Sequence, residues 1–164
     1  MAFTCLHWNG RPPMNPIMKG QKIYALALLV NETLIGMSSS VTEEERRGKY
    51  DQYLKFIRIA AYQGHVEALF DMGQQYEDIG FLGMPNPMYN AKKCVYWYTK
   101  AVEKGHAEAC NNLSNFYALG DGCKQDFDMA LGLLKRSAEL GSVLGKKNYK
   151  MKLKDLAKTG RYLK

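Results

Sequence analysis

The stretch Ala101-Val-Glu-Lys-Gly-His106 decides the fold, because it occurs in two further, degenerate copies: Ala60-Ala-Tyr-Gln-Gly-His65 and Ser137-Ala-Glu-Leu-Gly-Ser142. Gly64 and Gly105 are 41 residues apart, and Gly105 and Gly141 are 36 residues apart. The five additional residues fit a lengthened turn in the Gly- and Pro-rich segment 80–87. Self-similarity with this period is the sequence signature of a repeat architecture.

The apolar residues on either side of each glycine have the spacing of two helices. Before the glycine they recur at i, i+3, i+4, i+7 and i+8, which is one face of a helix. In the copy that contains Gly105, these positions hold Cys94, Trp97, Tyr98, Ala101 and Val102. After the glycine a spacing of four continues through Ala109, Leu113 and Tyr117. Each unit is therefore predicted to be a helical hairpin of about 36 residues, and three stacked hairpins bury the apolar faces that one cannot bury alone.

Residues 90–142 resemble the Sel-one-like repeat family, a relative of the tetratricopeptide repeat. The resemblance rests on the stretch from Ala101 to Asp126 and on the preceding helix, whose Trp97-Tyr98 pair matches the family pattern. It implies an all-α fold, an α/α right-handed superhelix (solenoid) of about three helical hairpin repeats with an N-terminal helix. It also implies a protein-binding or peptide-binding role and no chemistry.

The predicted solenoid covers residues 43–164. Its repeats are expected at about 50–88, 89–126 and 127–160. Residues 1–42 are predicted to be an irregular extension, up to about residue 22, followed by a capping helix or a degenerate half-repeat. Ala25, Leu29 and Gly36 repeat the spacing of the second helix of a hairpin.

The basic charge of the chain is concentrated at its C-terminal end. The formal net charge is +7, and residues 135–164 alone carry ten basic residues and two acidic ones. Lys146, Lys150, Lys154 and Lys158 are four apart and share one helix face. Lys146, Lys150 and Lys152 fill columns that would face the next hairpin in an internal repeat. The last repeat is therefore interpreted as a cap, because a terminal repeat needs a polar outer face. An acidic docking surface is the alternative. Nucleic acid is not expected, because no nucleic-acid motif is present and Tyr149 belongs to the opposing apolar stripe of the helix.

Composition and motifs point away from an enzyme. Hydrophobic residues make up 46% and charged residues 24% of the chain, which is typical of a folded globular domain and excludes a disordered or collagen-like chain. We expect no cofactor and no metal. His65 and His106 recur at the same repeat position, as a duplicated structural residue would. A Cys–His hydrolase using Cys110 with His106 stays as an alternative, although Cys110 occupies the column of Leu69 and is interpreted as a buried hydrophobic residue.

The four cysteines do not recur at equivalent repeat positions, so free thiols are expected. Free thiols favour a reducing compartment and a cytoplasmic location. A disulfide bridge between Cys94 and Cys110 is an alternative. A periplasmic or secreted location is a further alternative, if translation starts at Met18 and residues 18–40 are a signal peptide. The apolar run 23–30 is too short to span a membrane.

The residues and the family resemblance together predict a non-enzymatic scaffold or adaptor. In the family that the chain resembles, the first helix of each hairpin lines the concave surface. The positions opposite the core columns are then the candidate binding residues: Lys55, Arg58, Tyr62, Lys92, Tyr96, Thr99 and Lys135. Their basic and aromatic character predicts a protein or peptide partner of acidic character. An immunity protein that neutralises a secreted toxin or effector is the alternative, and the oligomeric state is open.

Overall fold

The computed structural model describes residues 16–78 and 85–159, which form seven helices. These are α1 Pro16–Ile35, α2 Glu43–Tyr62, α3 Val66–Gln74, α4 Ala91–Glu103, α5 Ala107–Leu119, α6 Phe127–Glu139 and α7 Val143–Thr159. Each helix packs on the next along the chain, and α5 also contacts α7. The predicted all-α stack of helical hairpins is confirmed.

The first helix begins earlier than the sequence predicted. Residues 16–22 were expected to be irregular, but α1 begins at Pro16. Proline fits the first position of a helix, where its missing N–H would have no intrahelical partner. Residues 1–15 lie outside the described part of the chain, so the rest of that prediction is not addressed.

The register predicted for α1 is also wrong. Ala25 and Leu29, which repeat the spacing of a hairpin's second helix, are exposed, and Ala27 is the fully buried residue. Gly20 is buried beside α2, where a Cβ atom would lie 3.2 Å from Cβ of Gln63. Three matching positions could not fix the helix face, because the buried face depends on where α2 approaches.

The repeated histidine position is a helix N-cap. The Nδ1 atom of His65 accepts the backbone N–H of Ala68 at 3.4 Å, and Nδ1 of His106 accepts that of Ala109 at 3.1 Å. Ser142, at the same position of the third repeat, accepts the N–H of Gly145 through its hydroxyl at 3.0 Å. The recurrence noted in the sequence thus has a local cause, since each cap satisfies an N–H group that the first turn leaves free.

The predicted core columns are buried. On α4, Cys94, Trp97, Tyr98, Ala101 and Val102 all have 7% or less of their surface exposed. Ile57 and Ala60 of α2 and Leu133 and Leu134 of α6, from the same columns, are also buried. The helical spacing read from the sequence therefore identified the face on which the first helices pack.

Tyr98 joins three helices at the centre of this core. Its ring is fully buried and packs on Gly73 of α3, where a Cβ atom would lie 2.6 Å from Cδ1 of the ring. Its hydroxyl donates to the Glu77 carboxylate, and the side-chain amide of Asn112 on α5 donates to both groups at 3.2 Å. Burial first, and Glu77 second, raise the pKa of Tyr98 far above its ordinary value, so the hydroxyl stays a donor.

The lysines predicted on the outer face of α7 are exposed, with one exception. Lys146, Lys150 and Lys154 are exposed. Lys152 was expected on the outer face, but it is half-buried, with its ammonium 5.8 Å from the ring centroid of Phe127. A long apolar stem and a cationic head allow lysine to cover an aromatic ring in this way.

A polar contact ties α1 to α3. The Tyr24 hydroxyl donates to Oδ2 of Asp71 at 3.0 Å. Burial raises the pKa of Asp71 to about 6, and the nearby Glu67 carboxylate adds to this rise. The hydrogen bond from Tyr24 and the nearby His106 side chain act in the opposite direction and lower the pKa. Keeping Asp71 ionised therefore costs free energy in the folded protein.

Replacing Gly73 by Ala should destabilise the fold. The new methyl group would overlap the Tyr98 ring, and overpacking of this kind costs roughly 1–3 kcal/mol. At about 2–4 °C per kcal/mol for a chain of this size, thermal unfolding should shift down by several degrees. Gly132→Ala is the matched control, because nothing lies within 4 Å of the added atom; it should leave the melting temperature unchanged or higher. Equal melting temperatures for the two variants would contradict the packing of Tyr98 on Gly73.

Replacing Asp71 by Asn should change how stability depends on pH. Because the pKa of Asp71 is higher in the folded protein than its ordinary value of 3.8, the folded state binds the proton more tightly. The free energy of unfolding therefore falls as the pH rises from about 4 to about 6, by on the order of 2 kcal/mol. Asp71→Asn should lose this fall and be the more stable protein at pH 7. Urea unfolding from pH 4 to 7 measures it, with the exposed Asp51→Asn as the charge control. Parallel pH profiles for Asp71→Asn and the parent would show that Asp71 does not carry the effect.

Candidate functional site

The residues predicted to bind a partner lie on the exposed sides of α2, α4 and α6. We call this surface the first-helix face; its members are Lys55, Arg58, Tyr62, Lys92, Tyr96, Thr99 and Lys135. Thr99 is half-buried, and the other six side chains are exposed. The face therefore extends over the first helices of all three hairpins.

Tyr62 and Tyr96 meet around Trp97. The Tyr62 and Trp97 ring centroids are 5.5 Å apart at 73°, and those of Tyr96 and Trp97 are 5.0 Å apart at 78°. Edge-to-face pairs of this kind are favourable beyond the area that they bury. Trp97 is 6% exposed, whereas Tyr62 is 72% and Tyr96 52% exposed. Two exposed rings from neighbouring helices are thus held by a buried third one.

The sequence did not reveal this aromatic cluster. Trp97 was assigned only to a core column, which its burial confirms. Its contact with Tyr62 joins residues 35 positions apart, and such a contact depends on how α2 and α4 cross. The adjacent aromatic residues Tyr96 and Trp97 were the one available signal, because neighbouring helix positions point in different directions and one of the two rings must face away from the core.

The cations of this face differ in their pairing. Within residues 16–78 and 85–159, the ion pairs on the first helices are Lys100–Glu103 at 3.2 Å and Lys135–Glu139 at 3.8 Å. Lys135 is therefore partly offset by its own helix. Lys55, Arg58 and Lys92 take part in neither pair, so the uncompensated positive charge lies beside the aromatic cluster rather than evenly along the face.

A shallow acidic cavity of about 280 Å³ lies on the side of the second helices. Its lining consists of Glu77, Asp78, Tyr89, Asn112, Asn115, Phe116, Leu119 and Asp121. The Tyr89 hydroxyl donates to Asp121. This side of the hairpins is acidic, whereas the first-helix face is basic. The sequence did not indicate the cavity, because its residues come from a loop and a helix that only the fold brings together.

A larger groove, of about 1020 Å³, lies between the end of α1, the start of α2 and residues 85–88. Arg46, Arg47 and Tyr50 line it together with Leu34 and Ile35.

His106 and Cys110 do not form a nucleophile pair. Nδ1 of His106 accepts the Ala109 N–H, Nε2 lies 3.1 Å from the Glu67 carboxylate, and the ring stacks on Phe70 at 4.3 Å. Both ring nitrogens are therefore occupied by other partners. Cys110 is fully buried, and burial raises the pKa of its thiol, which disfavours the reactive thiolate.

The described cysteines are Cys94, Cys110 and Cys123, and all three are free thiols. The Cys94–Cys110 bridge that the sequence left open is therefore not formed. Burial raises the pKa of Cys94 to about 12. Over residues 16–78 and 85–159 we find no group of three His, Cys, Asp or Glu side chains placed to hold a metal ion, and no helix there is long and apolar enough to cross a membrane.

A family model described as the Sel1 repeat matches residues 66–106 and 107–142. The chain thus carries two consecutive Sel1 repeats. Each matched unit runs from the second helix of one hairpin through the first helix of the next, as α3–α4 and α5–α6. Tyr96 and Trp97 lie in the first matched Sel1 repeat and Lys135 in the second, whereas Arg58 and Tyr62 precede both.

Among curated proteins, the chain is similar to the ERAD-associated E3 ubiquitin-protein ligase component HRD3A of Arabidopsis thaliana. The two are 27% identical over 139 residues, which is 74% of this chain and 19% of that protein. The chain thus spans about a fifth of the length of this relative.

Three solved structures share the fold. A Sel1 repeat protein from Oxalobacter formigenes aligns with a TM-score of 0.62 and 22% identity, covering 80% of this chain and 34% of that one. The protective antigen c5321 of uropathogenic Escherichia coli, which displays an SLR fold, gives 0.59 and 23%, with 84% and 28% covered. Cysteine rich protein B of Helicobacter pylori gives 0.53 and 16%, with 80% and 92% covered. Sel1 repeats generally serve as scaffolds for protein–protein interactions.

Proposed function

We propose that this Sel1-repeat chain is a non-enzymatic scaffold that binds an acidic protein or peptide segment on its first-helix face, at the aromatic cluster of Tyr62, Trp97 and Tyr96. The observation that carries the proposal is the exposure of two aromatic rings held from below by a third. Tyr and Arg are enriched among the residues that dominate binding energy at protein interfaces.

The cluster is suited to binding because it is ordered before a partner arrives. Trp97 is buried in the core of α4, so the Tyr62 and Tyr96 rings that contact it are already restrained. Binding then requires less ordering of side chains, which is one of the main costs of association. Exposed rings on a rigid helical surface are also able to bury apolar area against a peptide.

The charge around the cluster supports an acidic partner. Arg58 lies one helical turn before Tyr62, and Lys92 lies one turn before Tyr96, so each cation is next to a ring on the same helix face. Neither takes part in an ion pair of the described first helices. Complementary charge steers encounter and selects partners, so an acidic segment is the complement of this face.

Substituting Arg58 and Tyr96 together by Ala should weaken binding by roughly 2–4 kcal/mol, or about 30-fold to several hundred-fold. It should change the free energy of unfolding little, because both side chains are exposed. A partner first recovered from the native host with the immobilised parent chain provides the ligand for titration against each variant.

The matched control is Leu119→Ala with Lys124→Ala, which removes one exposed large side chain and one cation from the other side of the hairpins. It should bind as the parent does. If the Arg58→Ala, Tyr96→Ala protein binds with parental affinity, or if the control loses binding to the same extent, the site is not the first-helix face.

A further inference from the structure

We propose that the outer face of α7 is a docking surface for an anionic lipid membrane, separate from the first-helix face. We call it the α7 face and define it by Val143, Leu144, Lys146, Lys147, Lys150, Met151, Lys154 and Lys158. All eight side chains are exposed. This inference does not depend on the proposed function.

The positive charge of the α7 face is dense. Five of its eight members are lysines, and they extend from Lys146 to Lys158, about 18 Å along the helix axis at 1.5 Å per residue. Asp155 is the single acidic residue in the sequence of α7. Clusters of four to eight basic residues are attracted to the negative potential of anionic lipid head groups.

Apolar side chains lie among these lysines. Val143 is 83% exposed, Met151 55% and Leu144 50%. Exposed apolar groups of this size add nothing to solubility, whereas the boundary between lipid head groups and acyl chains accommodates them. The mixture of exposed apolar side chains and lysines on one face therefore favours a lipid surface.

The α7 face lacks the features of a protein-binding site. It carries no exposed aromatic residue and no arginine, the residue types that anchor protein interfaces, and neither described cavity is lined by α7. Lysine is a compact point charge, suited to diffuse attraction rather than to the paired hydrogen bonds that arginine makes. The first-helix face differs in both respects, because it presents Arg58, Tyr62 and Tyr96.

Nucleic acid is also a poorer complement than lipid. Single strands are bound by stacking on aromatic side chains, which the α7 face does not expose. A phosphate backbone would neutralise the lysines but would leave Val143, Leu144 and Met151 without an apolar partner.

The contact with a membrane would be shallow. The opposite side of α7, with Tyr149, Leu153 and Leu156, is half-buried toward the preceding helices, so the helix stays in the stack. Attraction between surface charges then dominates, and such attraction is weakened by salt, since charges are screened beyond about 10 Å at 0.1 M ionic strength.

Sedimentation of the full chain with phospholipid vesicles tests the proposal. We expect binding to phosphatidylcholine vesicles that contain 30% phosphatidylserine, little binding to phosphatidylcholine alone, and release on raising NaCl from 0.1 to 0.5 M. The triple variant Lys147→Gln, Lys150→Gln, Lys154→Gln should lose at least tenfold in apparent affinity. Circular dichroism and thermal melting confirm that each variant folds.

The matched control is Lys55→Gln, Arg58→Gln, Lys92→Gln, which removes the same three charges from the first-helix face. It should keep its vesicle affinity within about twofold. Absence of binding to the phosphatidylserine vesicles would overturn the proposal, and so would an equal loss in both triple variants, which would make net charge the cause. Tighter binding to duplex DNA or to polyglutamate than to the vesicles would assign the α7 face to nucleic acid or to an acidic protein instead.

Discussion

The packing of the Tyr98 ring on the backbone of Gly73 is the contact on which the rest of the stack depends. It fixes how closely α3 and α4 approach, and it buries a hydroxyl that must find partners. Glu77 and Asn112 supply them, so one side chain couples α3, α4 and α5. With α4 held in this position, Trp97 on the neighbouring face reaches Tyr62 of α2. The order of the exposed aromatic cluster therefore derives from the buried packing next to it.

The same stack presents surfaces of different chemistry because each kind of helix repeats its orientation. The first helices expose aromatic rings and unpaired cations, the second helices expose the acidic cavity around Glu77 and Asp121, and α7 exposes its row of lysines. A repeat protein can in this way present separate surfaces to separate partners without any change in the core. His106 has two structural roles. It caps α5, and its other nitrogen and its ring contact Glu67 and Phe70 of the preceding repeat.

The sequence predicted what is local and periodic. The spacing of apolar residues identified the hairpins and the buried columns, such as Tyr98 and Leu134, because helix period and burial are linked residue by residue. It could not predict contacts that need the crossing of two helices: Trp97 with Tyr62, Lys152 over Phe127, or the buried face of α1 around Ala27. It also misjudged where α1 begins, because Pro16 breaks a helix in its interior but suits its first turn. Six of the seven candidate binding residues are exposed, yet only the fold shows which of them meet.

Stacking between units, rather than any single hairpin, holds this chain in its fold, and a chain shortened to end after Leu140 provides the test. Removing α7 uncovers the sides of α5 and α6 that it covers, and a solenoid without a polar terminal unit is expected to self-associate. Size-exclusion chromatography with light scattering, together with thermal melting, should show a shortened chain that aggregates or melts well below the full chain. A monomeric shortened chain with the full chain's melting temperature would show that the packing of α7 on α5 and α6 is not needed to hold the stack.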